Sequence, residues 1–87
     1  MIMKTFSYEI KDEIGIHARP AGLLVKEAKK YNSKMILNVN GKSAEATKLM
    51  AIMSLGVKHG QTVEITIEGE DEETAYENMK AFFEQNL

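Results

Sequence analysis

The spacing of apolar residues along this chain switches repeatedly from every second position to every third and fourth, and that switching restricts the fold more than any other feature. Phe6, Tyr8 and Ile10 alternate with Ser7 and Glu9, the pattern of a strand with one buried face. Lys11-Asp12-Glu13 breaks the alternation and Gly15 marks a turn. After Pro20, Ala21, Leu24, Val25 and Ala28 fall at helical spacing, with Lys26, Lys29 and Lys30 on other faces. Proline is tolerated in a helix's first turn, where amides lack internal partners, so this helix begins close to His17-Ala18-Arg19. Met35, Leu37 and Val39 return to alternation, and Asn40-Gly41 is a two-residue hairpin signal leading to a short strand over about 42–45. Residues 48–55 read as a short helix, apolar almost all round and ended by Gly56. Val63, Ile65 and Ile67 form a further strand, and Ala75, Met79, Phe82 and Phe83 a final helical stripe. The acids at 70–73 suit the start of that helix through its dipole.

The resulting order is β-α-β-β-α-β-α. Two amphipathic helices and a mostly antiparallel sheet make a two-layer α+β domain, with the helices on one face. At 87 residues the chain can build one core, and a single domain over 1–87 is expected. Ile52 and Leu55 are expected in that core. Leu49, Met50 and Met53 share a helix too short and too apolar to be buried all round.

Composition excludes several classes of function. A hydrophobic content of 44% with 28% charged residues argues against disorder. A net charge of −2 provides no field of one sign to attract nucleic acid or an anionic membrane. The charges are segregated, however. Lys26, Lys29, Lys30 and Lys34 face only Glu27 within 26–34, whereas 68–77 hold six acids and no base. A mildly basic end able to meet an acidic partner is therefore expected. Without cysteine there is neither a disulfide framework nor a thiolate metal site. No cofactor and no bound metal are expected. The first ten residues lack a signal peptide's apolar run and no window approaches membrane-spanning length, so no membrane insertion and a cytoplasmic location are expected. Met1 and Met3 are equally suitable starts.

The chemistry is concentrated in Gly15-Ile16-His17-Ala18-Arg19-Pro20-Ala21-Gly22. A helix start offers unpaired amides and the positive dipole end to an anion. Arg19 adds a permanent charge whose fork matches phosphate oxygens. His17 adds a nitrogen nucleophile in a side-chain type whose reference pKa of about 6.5 leaves it neutral over part of the physiological range. These residues alone reach no further than a candidate anion site, beside the ordinary reading of a histidine before a helix as a cap or a solvated loop residue. His59, in Lys58-His59-Gly60, is read as a loop residue.

The segment GIHARPAGLLVKEA resembles the active-site segment of the HPr family, histidine-containing phosphocarriers of the bacterial phosphoenolpyruvate-dependent sugar phosphotransferase system. The block NGKSAEATKLMAIMSLGVKHGQTVEITIEGEDEETA resembles the rest of that family at matching spacing. The resemblance implies an open-faced β-sandwich, a four-stranded antiparallel sheet with three helices. It implies that His17 accepts phosphate on Nδ1 from phosphorylated enzyme I and passes it to the A domain of an enzyme II (enzyme IIA), with no catalysis of the chain's own. Arg19 would pair with the phosphate, the amides of Ala18 and Arg19 would help hold it, and Pro20 and Ala21 would shape the first turn. Leu49, Met50 and Met53 would dock both partners, a task suited to adaptable methionine. Lys26 and Lys29, one turn apart, are candidates for added contacts with acidic partners, or form a solvated face. A monomer is expected.

Three positions depart from the family pattern. Lys48 stands where many relatives carry a regulatory serine, so control by that serine's phosphorylation is not expected. Ile14 replaces a small polar residue near the histidine and offers no side-chain hydrogen bond. Gly22 replaces a better helix former. An HPr-like regulatory binding protein that relays no phosphate, and a small-ligand domain of chance similarity, are the alternative readings.

Overall fold

The computed structural model describes residues 3–87; Met1, one of the two candidate starts, lies outside them. Its elements are β1 (Lys4–Glu9), α1 (Ala18–Ala28), β2 (Ser33–Val39), β3 (Lys42–Glu45), α2 (Leu49–Ser54), β4 (Thr62–Gly69) and α3 (Glu72–Asn86). The expected order is observed. The four strands lie in the order β1-β4-β2-β3, every neighbouring pair antiparallel. Asn40 and Gly41 take φ of 49° and 78°, the two positive values that a tight β2–β3 hairpin requires.

Register explains the two unlike faces of the sheet. Phe6 sits opposite Ile65, Ile65 opposite Leu37, and Leu37 opposite Ala44, so one buried apolar row crosses all four strands. On the other face Thr5, Thr66, Ile36 and Glu45 form one row, and Ser7, Glu64, Asn38 and Ser43 the next. The polar face needs no cover, whereas the apolar face receives the helices. α3 packs on β1 and β4 and against α1, α1 packs against α2, and α2 against β3.

Ala75, Met79 and Phe83 of α3 are buried, and Phe83 meets Phe6 and Tyr8 edge-to-face with centroids 5.7 Å apart in each pair. Phe82 and Val25, placed on the apolar stripes by spacing, are only half-buried at the edges of their helices. Ile52 and Leu55 are buried.

The two oppositely charged segments lie side by side. Ser33 pairs with Gly69 and Lys34 with Glu68, so the start of β2 lies against the end of β4. Asp71, just before α3, accepts hydrogen bonds from the Asn32 amide and the Ser33 hydroxyl. The acidic run therefore borders the end of the lysine-rich segment, with Lys34 opposite Glu68, while Lys26, Lys29 and Lys30 stay exposed on and just after α1. Sequence distance hides this adjacency. Gly69 permits the contact: a Cβ there would lie 2.5 Å from the Ser33 Cα. The Glu72 carboxylate, buried beside it, accepts the Gly69 amide at 3.0 Å.

Truncating Phe83 to alanine should lower unfolding free energy by about 3–5 kcal/mol in denaturant titration. Acid provides a second check. The Ser33 hydroxyl and the Asn32 amide hold the Asp71 carboxyl below its ordinary range. A carboxyl depressed on folding stabilises the native state above its unfolded pKa of about 3.9, and that contribution is lost as pH falls through the folded value. The stability gap between the wild type and Asp71→Ala should accordingly be full at neutral pH and narrow below about pH 4.

Candidate functional site

The loop from Ile10 to His17 is fixed at several points before any reactive group is considered. Ile10 continues the pairing beyond β1, its amide bonding the Gln61 carbonyl and its carbonyl accepting the Gly60 amide, each at 2.9 Å. The amides of Lys11 and Asp12 both donate to the main-chain oxygen of Leu87, at 2.6 and 2.8 Å, tying the loop to the end of α3. Asp12 closes the turn: its Oδ1 accepts the Ile14 amide at 2.9 Å and its carbonyl accepts the Gly15 amide at 3.0 Å. Gly15 has φ of 83°, and a Cβ there would fall 2.3 Å from the Val57 carbonyl oxygen, so only glycine fits. The Ile16 amide then bonds that same Val57 oxygen at 3.0 Å, and the Ile16 side chain is buried.

His17 follows as the N-cap of α1, with extended backbone and no side-chain capping bond, so its ring is not spent on the helix. Its carbonyl accepts the Ala21 amide at 2.9 Å, the first bond of the helix. Of the positions before Ala21, Pro20 has no N–H, which leaves the amides of Ala18 and Arg19 as free donors at the helix start. Pro20 and Ala21 are buried and anchor this turn, while Ala18, Arg19 and Gly22 are exposed. No acid lies in the first turn to compete for an anion.

The His17 side chain is half-buried, with Nε2 3.7 Å from the Asp12 Oδ2. His17 and Arg19 line one shallow recess of about 280 Å³ together with Asp12, Pro20, Leu23, Gln85 and Asn86. An open site of this kind can take an anion onto a nitrogen nucleophile and leave it within reach of a second protein. No cluster of residues suited to hold a metal occurs among those described, and none of their helices is long and apolar enough to cross a membrane.

Leu49, Met50 and Met53 are exposed on α2. Because α2 ends three residues before Val57, whose carbonyl holds Ile16, its C-terminal end lies beside the His17 loop. Lys26 and Lys29 are exposed near the end of α1, away from the turn that carries His17. Lys48 is the exposed N-cap residue of α2, His59 is an exposed loop residue, and Ile14 is exposed and held by its amide alone.

Sequence reading passed over Asp12, Leu23 and the 85–87 segment. Asp12 carried a signal, since an aspartate three residues before a turn glycine commonly bonds the intervening amides. Leu23 looked like an ordinary helix residue, and the Leu87 contact is too distant in sequence to be read.

A family profile described as the PTS HPr component phosphorylation site matches residues 4–85. The phosphocarrier protein HPr of Mycoplasma genitalium is 40% identical over 85 residues, spanning 97% of both chains. The HPr-like protein Crh of Halalkalibacterium halodurans is 39% identical over 77 residues, spanning 88% of this chain and 92% of its own. The crystal structure of HPr-C-His from Thermoanaerobacter tengcongensis superimposes with a TM-score of 0.90 at 40% identity, covering 95% of this chain and 93% of that one. A histidine turn built this way, on this sheet order, within a match that runs nearly end to end, places the chain in the HPr family of phosphotransferase-system phosphocarriers.

Proposed function

We propose that the protein is a phosphoryl carrier whose His17 accepts phosphate on Nδ1 from phosphorylated enzyme I and passes it to enzyme IIA. The observation that carries this reading is a half-exposed imidazole sharing one shallow recess with Arg19 at the start of α1, in a chain of the HPr family. Phosphoryl transfer asks mainly for in-line positioning and charge stabilisation, and both can be supplied by the partners closing over an exposed ring. Arg19 pairs with the phosphate oxygens, and the Ala18 and Arg19 amides add the helix end, worth only ~0.3–1 kcal/mol. Weak holding suits a group that must be released to the next protein.

Leu49, Met50 and Met53 form the docking patch for both partners, with Lys26 and Lys29 as outlying contacts. Their exposures of 43%, 75% and 37% for the three apolar side chains are high for residues that a core would otherwise claim. With Lys48 at the start of α2, control through a phosphorylated serine at that position is not part of the proposal.

A second reading, a regulatory binding protein that relays no phosphate, is favoured by one observation. A Crh protein is as similar to this chain as an HPr protein is, at 39% against 40% identity. The retained His17 with Arg19 supports the carrier, because a protein that acts only by binding has no use for the nucleophile.

Incubation with phosphoenolpyruvate and enzyme I should place an acid-labile phosphate on the wild type and none on His17→Ala; label on the variant would sink the assignment. Met50→Glu should leave unfolding free energy within about 0.5 kcal/mol of wild type, as expected of an exposed position. It should slow labelling by enzyme I about tenfold or more, which corresponds to ~1.4 kcal/mol of lost docking.

A further inference from the structure

We infer that Asp12 is a positioning residue for His17, one that keeps the proton on Nε2 and so leaves the lone pair on Nδ1 for phosphorus. The inference rests on the carrier reading above and names a residue that neither the helix start nor the phosphate contacts require.

Three observations carry it. Asp12 cannot drift, because its amide is held by the Leu87 oxygen and its Oδ1 by the Ile14 amide. Its second oxygen is thereby left over, and that oxygen is the one facing His17 Nε2 at 3.7 Å. Ile14, the exposed neighbour in the same turn, has no polar side-chain atom to offer the ring. The other charged group lining the recess is Arg19, which repels a proton on the ring and cannot accept one in a hydrogen bond.

The chemistry explains why such a residue matters. A neutral imidazole carries its proton on one nitrogen and its lone pair on the other, and the hydrogen bond or charge facing one nitrogen sets the tautomer. A carboxylate beside Nε2 favours the proton there. Nδ1 then attacks phosphorus, its lone pair forms the P–N bond, and the donor's bond to phosphorus breaks with its electron pair leaving on the donor. The ring now bears a positive charge with Nε2–H still in place, next to the Asp12 carboxylate. In the outward step a nucleophile of the accepting protein bonds to phosphorus as the P–N bond breaks, the bond's electron pair returns to Nδ1, and the ring is neutral again. Nε2 holds its proton throughout, so neither direction waits for a proton transfer.

Asp12→Asn separates charge from architecture. Its carbonyl oxygen can still accept the Ile14 amide, while its amide N–H faces the ring and favours an unprotonated Nε2. Ring ¹⁵N and ¹³C shifts of His17, recorded above its titration, should show the Nε2–H tautomer dominant in the wild type. In Asp12→Asn the Nδ1–H share should rise about threefold, the scale of a partly exposed charge contact. Labelling by enzyme I and phosphoenolpyruvate should slow by at least the same factor, with the thermal midpoint unchanged. An unaltered tautomer ratio in Asp12→Asn would overturn the inference. So would slowing confined to Asp12→Ala, since that would assign the effect to the turn alone. If the wild type takes no label, the carrier reading fails, and the tautomer comparison still decides what Asp12 does to the ring.

Discussion

Everything in this molecule depends on β4 being paired on both sides. It is the last strand in sequence, yet β1 lies along one edge of it and β2 along the other. Its inward residues Val63, Ile65 and Ile67 are wholly buried, each in register with a residue of a neighbouring strand. Because β1 and β4 come from opposite ends of the chain, their ladder also brings the segments that follow them together. The loop after β1 meets the end of α3 through the Leu87 oxygen, and it meets the segment before β4 through Val57 and Gln61. The turn that carries His17 is thus clamped by parts of the chain that lie far from it in sequence.

That arrangement reconciles two opposing demands that the proposed carrier role makes. The histidine must be exposed enough for a partner to reach it, while its backbone must be rigid enough to present the same nitrogen each time. Here the rigidity comes from buried neighbours, Ile16, Pro20 and Ala21, and from the glycine that lets the chain press against Val57. The ring itself sits above them, uncommitted to the helix cap. The site is a rim of a domain whose core lies elsewhere, so a change at the ring leaves the packing that supports it intact.

The polar face of the sheet shows the same economy. With three helices on one side, the rows of Thr5, Thr66, Ser7 and Glu64 are left to water. The strands therefore alternate cleanly, and this is why their period could be read at all.

Local order was legible because each element carries its own periodicity. The β2–β3 hairpin follows from Asn40-Gly41, the start of α1 from Pro20 and its stripe, and the anion-friendly histidine from residues adjacent in sequence. Where side chains lie on the border of a stripe, as with Val25 and Phe82, spacing could not say how far a neighbour would cover them. Contacts between distant segments left no such trace. That the lysine-rich segment borders the acidic run follows only from the pairing of β2 with β4, which also brings Asp71 to Asn32 and Ser33. Asp12 acquired a relation to His17 only when Leu87 and Ile14 had fixed its amide and one of its oxygens. The sequence by itself thus determined the elements, their order and the candidate histidine, since these depend on interactions within a few residues. Only the tertiary structure decided which charges meet and what faces the ring, because those depend on strands that pair across most of the chain's length.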